Sequence, residues 1–451
     1  MRTGFTEAQR RDPRIRAADD ILRKCVHCGF CAPACPTYRL TGDELDGPRG
    51  RIWLMRDLLE AGGAAPEAAG PAADPGVVAH LDRCLGCLAC MPACPSGVDY
   101  RSLIGIGREV IEARARRGWW DRTLRAALGR ILPDPGLFAA LLRIARPLAP
   151  LGRIIGGRIG AGLALAAGAR VRQSGDAGPG VYPSAGERRG RVALITGCAQ
   201  SALAPDINAA LIRILNRAGI EAVVLPGVNC CGALNEHLGQ ADMARAHALG
   251  VISRALAEAD GRGVDALLQT ASGCGTFMKS YGGLFHAEER AAEPARRLAG
   301  LVRDAGEYLA GLDLVLSPAP DHPVRRIAWQ APCSLANGQG GAGYGRALLA
   351  RAGFDVVEPP EGPVCCGSAG TYNLTEPAIA DRLGADKGRA LDGLGADVVV
   401  SSNLGCMMQL APHLGTPVVH LVELLDWAQG GPRPHSLGAL PAADAGPPQD
   451  G

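Results

Sequence analysis

Residues 25–36 read CVHCGFCAPACP and residues 84–95 read CLGCLACMPACP, so one spacing, C-x2-C-x2-C-x3-C-P, occurs twice. No other feature restricts the fold as much. Three cysteines at intervals of three let a tight loop wrap one corner of a compact centre, with backbone N–H groups turned inward. The fourth cysteine lies one residue further on and is carried away from that centre. The proline after it fixes φ and removes a donor, which suits an abrupt change of direction. Each run leaves one centre a ligand short and has one ligand to spare, so the two runs complete each other.

This spacing holds [4Fe–4S] clusters in two-cluster bacterial ferredoxins, where the fourth cysteine ligates the other cluster. The expected sets are Cys25, Cys28, Cys31 and Cys94 for the first cluster, and Cys84, Cys87, Cys90 and Cys35 for the second. Centres that share ligands this way are close neighbours, and close neighbours exchange electrons. Four thiolates also make a zinc site. Zinc motifs usually pair two C-x2-C hooks across a longer gap, and need neither a third cysteine at the same spacing nor a C-P. His27 and His80 lie near the runs, fit no ligand position, and read as ordinary polar residues. Between the runs, PRGRIWLMRDLLEAG is bracketed by Pro48 and Gly62–Gly63. Its apolar Ile52, Leu54, Met55, Leu58 and Leu59 predict an amphipathic helix that packs over the clusters and keeps water off them.

A chain of 451 residues suggests several domains. The formal charge of +2 is nearly balanced, and only Lys24, Lys279 and Lys387 among the basic residues are lysine. That arginine skew, with 62 glycines, reads as genome composition rather than a concentrated basic face, and no nucleic-acid partner is expected. The opening residues contain no apolar signal-peptide core, and clustered cysteines in a reducing cytosol point to metal or redox chemistry rather than disulfides. The expected location is cytoplasmic, with peripheral attachment to the inner face of the cytoplasmic membrane as the alternative. That alternative comes from residues 108–172, where thirteen arginines stand against four acidic residues and apolar and arginine positions interleave at roughly helical spacing. The preferred expectation is a set of short helices covering the other domains, cut by prolines at 133, 135, 147 and 150. Residues 173–190 are polar and rich in Gly and Pro, and read as a linker.

After Gly190, strand-like and helical patterns alternate in the rhythm of a parallel sheet. RVALITGC ends in Cys198, EAVVLPGVNCCG in Cys230, Cys231 and Gly232, and VDALLQTASGCG reaches Cys274. The order returns with RRIAWQAPC at Cys333, DVVEPPEGPVCCG at Cys365, Cys366 and Gly367, and ADVVVSSNLGC at Cys406. The single cysteine precedes the CCG by 32 residues in both copies, and the period from Cys198 to Cys333 is 135 residues. Each copy therefore gathers four thiols at the carboxyl edge of a sheet, where such folds bind ligands. Adjacent strand residues point to opposite faces, so both cysteines of a CCG reach one site only if the chain bends, which the glycine permits. A metal or redox site is expected. GQGGAG, from Gly338 to Gly343, fits a dinucleotide loop in letters but does not open directly off a strand, so nucleotide binding is not expected.

A double ferredoxin-type run followed by two CCG repeats resembles the iron–sulfur subunits of glycolate oxidase (glycolate dehydrogenase), within the wider CCG-domain family. GPRGRIWLMRDLLE, GCAQSALAPDINAA, TASGCGTFMKSYG, CCGSAGTYNL and SNLGCMMQL carry the likeness from about Cys25 to His420. The resemblance implies a multidomain α+β and α/β chain. Its parts are a helical two-cluster domain (1–107), an arginine-rich helical segment (108–172), the linker, CCG repeats at 191–320 and 321–430, and a disordered tail at 431–451. It implies an electron-transfer subunit that contains no flavin. FAD-containing glycolate oxidase subunits would supply the electrons, and a quinone or another carrier would accept them. Equivalent subunits of D-lactate or glycerol-3-phosphate dehydrogenases, and thiol–disulfide enzymes like the heterodisulfide reductases, share the pattern. The fullest family pattern has a fifth cysteine per repeat, replaced here by Ala271 and Asn403. The four left in each repeat would hold an additional cluster or zinc.

Overall fold

The computed structural model describes residues 1–62, 71–168, 177–316 and 323–438. Gly63, Arg170, Arg172, the first four residues of the expected linker and residues 439–451 of the tail lie outside them.

Short runs of small and β-branched residues form two sheets. The first takes β1 (Gly180–Tyr182), β2 (Gly190–Leu194), β3 (Ile220–Val224), β4 (Ala266–Gln269) and β5 (Val302–Asp304) in the order β1-β3-β2-β4-β5. The second takes β6 (Arg326–Gln330), β7 (Asp355–Val357), β8 (Val398–Ser401) and β9 (Val418–His420) in the order β7-β6-β8-β9. Pairing is parallel throughout, apart from β1 against β3. With β1 set aside the two orders are the same, so the sequence repeat is a repeat of topology. Both faces of each sheet are buried, as parallel sheets require. On β2, Val192 and Leu194 enter one core while Ala193 enters another. Helices Asp206–Arg217 and Leu421–Ala428 pack between the sheets, so Leu211, Ile214, Val422 and Leu425 join Val192, Trp329 and Val400 in one shared core.

The stretch expected as a linker contributes β1. Its three residues are too few and too glycine-rich to signal a strand, but they pair with the otherwise open edge of β3, and Tyr182 packs on the shared core. At the other end, the first residues of the expected tail form a 3-10 turn at His435–Leu437, and Leu437 is buried in that same core.

The N-terminal part is helical. Helices Pro13–Lys24, Pro48–Gly62, Pro75–Asp82 and Tyr100–Arg114 enclose Ile15, Leu22, Met55, Leu59, Leu81, Leu103 and Ile111. Asp12, Asp74 and Asp99 accept from the first free N–H groups of three of them, which fixes where those helices start.

The arginine-rich segment forms helices Trp119–Ile131, Pro135–Ala145 and Gly157–Gly168, with prolines at their breaks as expected. One face does cover repeat one, where Phe138, Leu142 and Ala166 pack with Ala199, Ala202 and Leu203. The rest of the segment departs from a mere cover. Trp119, Trp120, Leu137, Ile144, Ile154 and Ile159 are each more than half exposed.

Candidate cluster and cysteine sites

The two cysteine runs match in backbone as well as in spacing. His27 (φ 56°) and Gly29 (φ 84°) are left-handed in the first, Gly86 (φ 64°) and Leu88 (φ 60°) in the second. These are the third and fifth residues of each run. Left-handed residues between the cysteines curl the loop and gather its N–H groups on the concave side, as in backbone nests that bind anions. Glycine takes this conformation freely, whereas it costs His27 and Leu88 roughly 1–2 kcal/mol each. Strain of this kind collects where a loop must fit a ligand.

Each loop borders a cavity. Cys25, Cys28, Cys31 and Cys94 line the first together with Cys90, and Cys35, Cys84, Cys87 and Cys90 line the second. The structure thus brings Cys94 to the first run and Cys35 to the second, with Cys90 forming a wall between. Sulfur-only donor sets on curled loops suit iron–sulfur clusters. Burial and the neighbouring Cys25, Cys94 and Cys28 sulfurs push the Cys31 thiol up to about 11. Burial also lifts Cys87 and Cys90 well above the ordinary thiol value. Cys84 differs. Burial pushes it up as well, yet Arg51 and Arg108 leave it below the ordinary thiol range.

Arg51 was not singled out from the sequence. It is 1% exposed, lies on the cavity-facing side of helix Pro48–Gly62, and donates to His80 O at 2.7 Å and Thr37 Oγ1 at 3.1 Å, with Cys35 Sγ at 3.8 Å. Its one sequence signal is an arginine set among the apolar positions Ile52, Met55 and Leu59. Arg108 donates to Cys84 O at 2.6 Å. The helix also seals the centres, because Pro48, Arg49 and Ile52 line the first cavity and Pro48 and Arg51 the second. His27 borders the first cavity and gives its carbonyl to Arg49, while His80 holds Asp46 at 2.8 Å. Asp43, Asp46 and His80 converge, but Arg51 and Arg83 already neutralise Asp46.

The CCG cysteines also meet. Sulfur-to-sulfur hydrogen-bond contacts run Cys198–Cys230–Cys231–Cys274 in repeat one and Cys333–Cys365–Cys366–Cys406 in repeat two. The glycine is needed for two reasons. Gly232 and Gly367 both have φ 91°, and a Cβ there would fall 2.7 Å from Ala244 O or 2.6 Å from Ala380 O. Asn403, at the replaced fifth-cysteine position, donates to Cys406 Sγ at 3.3 Å. The GQGGAG stretch lies at the junction of helices Cys333–Gln339 and Ala342–Arg351, away from any strand end.

These units lock together near the sulfurs. Asn337 donates to Cys87 O at 3.1 Å, Tyr372 to Arg83 O at 3.0 Å, and Arg101 to Thr276 O at 2.8 Å. Buried His420, the last residue of β9, links the repeats through Thr270 O at 2.9 Å.

Residues 21–98 match the 4Fe-4S dicluster domain family, and residues 192–279 and 327–411 each match the cysteine-rich CCG domain. The glycolate oxidase iron–sulfur subunit of Escherichia coli is 38% identical over 95% of this chain and 99% of that one. The probable glycolate oxidase iron–sulfur subunit of Bacillus subtilis is 29% identical over 92% and 96%. A subunit of the fumarate reductase (CoM/CoB) of Methanothermobacter marburgensis is 26% identical over 90% of this chain and 72% of its own.

Proposed function

The chain belongs to the family of glycolate oxidase iron–sulfur subunits, and on that premise we infer that it is the electron-transfer subunit of an enzyme oxidising glycolate to glyoxylate. A partner flavoprotein would take the two electrons and two protons that this oxidation releases. The clusters, when bound, supply one-electron steps at potentials set by net charge, hydrogen bonds to sulfur and exposure. The observation that carries the reading is the shared Cys90 wall, which puts two sulfur-lined centres side by side.

We assign Cys25, Cys28, Cys31 and Cys94 to the outer centre and Cys84, Cys87, Cys90 and Cys35 to the inner one. Exposed Cys28 brings the outer centre to the surface, where a partner can reach it. Arg51 and Arg108 offset the negative charge of the inner thiolates, and helix Pro48–Gly62 keeps water from both centres. At least one CCG tetrad holds a further metal or cluster. Electrons leave to a quinone or another carrier. Among the described residues no helix is long and apolar enough to cross a membrane. We place the protein peripherally on the inner face of the cytoplasmic membrane, held by the arginine-rich segment.

The test is anaerobic co-purification with the flavoprotein, followed by separate addition of glycolate, D-lactate and glycerol 3-phosphate. Glycolate should bleach the visible absorbance of the clusters. Bleaching by one of the other two and not by glycolate reassigns the substrate. A chain without iron would sink the electron-transfer reading altogether.

A further inference from the structure

The two CCG repeats share topology and four cysteines each, yet their surroundings differ. Gly232 and Gly367 pack on the carbonyls of Ala244 and Ala380, which aligns the helices that follow. Seven residues beyond those alanines stand Val251 in repeat one and Lys387 in repeat two. Both are buried, Val251 at 0% and Lys387 at 5% exposure. Lys387 is one of only three lysines in the chain. Its ammonium donates to Gly362 O at 3.1 Å; burial lowers its pKa, and Cys366, Cys406, Glu361 and Cys333, in that order, act against the lowering. Asn403 adds an N–H···S bond to Cys406, where repeat one has Ala271. A buried ammonium is tolerated only when it is paired, and Cys366 and Cys406 are the first of the charges that offset its burial.

Position separates the repeats too. Cys87 of the inner centre packs in one cluster with Cys333 and Cys365. Cys365 leads the charges acting on Cys87, and Cys87 those acting on Cys333. The principal charges on Cys198, Cys230 and Cys231 are only one another and Cys274.

We propose that the repeat-two tetrad is a redox-active iron–sulfur site in electronic contact with the inner centre, with Lys387 and Asn403 as the positioning residues that set its potential. Repeat one meets the inner run through His237, which lies 3.4 Å from Arg108, and no cysteine of that run is among the principal charges on Cys198, Cys230 or Cys231. With both groups bound, the exchange would be a single electron passing from the group held by Cys35, Cys84, Cys87 and Cys90 to the one held by Cys333, Cys365, Cys366 and Cys406. No bond is made or broken, and Lys387 supplies the positive charge that would otherwise have to come with a proton. A nearby cation and a hydrogen bond to sulfur both stabilise the reduced, more negative state, so both raise the potential. Zinc would draw no use from either, since it has no redox chemistry.

The inference rests on the electron-transfer reading above, and an EPR-monitored redox titration of the anaerobic full chain separates the two. Iron below about eight per chain, the content of two [4Fe–4S] cubes, overturns the two-cluster reading and this inference with it. With both cubes present, the wild type should show a third redox centre broadened by the reduced inner cluster. Cys366→Ala should remove it and Cys231→Ala should not. Lys387→Met should move its midpoint to lower potential and Lys387→Arg should restore it. Should Lys387→Met fail to fold, Asn403→Ala is the second variant, with a shift of the same sign. Two cubes without a third redox centre, loss of that centre in Cys231→Ala, or an unmoved midpoint in the Lys387 and Asn403 variants overturns the proposal and leaves the two-cluster reading standing.

Discussion

At the start of helix Ala305–Ala310 a carboxyl group, 1% exposed, has one oxygen in a hydrogen bond and one in none. Asp304 Oδ1 accepts from Gly306 N at 2.9 Å, while Oδ2 is buried without a hydrogen-bond partner. Burial pushes its pKa up to about 7 from an ordinary 3.8. Between those values the folded chain binds a proton that the unfolded chain has lost. Stability from this group is therefore full below about pH 4 and falls as pH rises towards 7, by up to about 1.4 kcal/mol per unit. Asp304→Asn keeps a capping oxygen and cannot ionise. It should be the more stable protein at pH 8, by roughly 1–3 kcal/mol, and should lose this part of the pH slope. Urea midpoints at pH 5 and pH 8 decide it; an equal change in both proteins would rule the account out. Such residues were not legible in the sequence. Cysteine roles follow from spacing, but Asp304, Arg51 and Lys387 matter because they are buried, and burial of a charge is set by distant elements.

Elements were more readable, because their signals are local and here are repeated. Three of the four short parallel strands in each repeat, each leading to a cysteine, could be placed from β-branched runs and from the second copy; β1, β5 and β9 could not, since three residues carry no alternation. The same locality makes the crossed assignment of the two runs testable. Cys94 ends a loop of its own run but lines the cavity of the other, and Cys35 does the reverse while preceding helix Pro36–Thr41. Cys94→Ser should cost the outer cluster, about four irons, and leave the EPR signal of the inner one. Loss of the inner signal alone would mean that each run keeps its own fourth cysteine.

Across the whole molecule, exposed apolar side chains are unevenly spread. Ten of the seventeen large ones among the described residues lie between Trp119 and Ile159, in the segment that also packs on repeat one. The stacked Trp119 and Trp120 stand at one end. Exposed Arg116, Arg122, Arg130, Arg143 and Arg146 run through the same stretch, where exposed Asp134 is spent as a helix cap and Asp121 is paired with Arg117 and Arg158. Apolar patches of this kind mark contact surfaces, and on the proposed membrane placement the arginines would select an anionic lipid surface over neutral lipid. Each large side chain that enters the bilayer boundary contributes up to about 1.5–3 kcal/mol, and each arginine near anionic headgroups about 1 kcal/mol. On that placement both terms would be needed, the apolar one to hold the protein and the charged one to choose the lipid. The full chain should therefore sediment with vesicles containing phosphatidylserine and hardly at all with phosphatidylcholine alone, and added salt should weaken it by screening. Ile144→Asp together with Ile154→Asp should abolish sedimentation while cluster absorbance stays intact, since both side chains project away from the fold at 67% and 83% exposure. Equal binding to both lipids would remove the charge argument, and unchanged sedimentation of the double variant would remove the apolar one. If the wild type ignores vesicles but the double variant no longer co-purifies with the flavoprotein, the patch is a subunit interface instead.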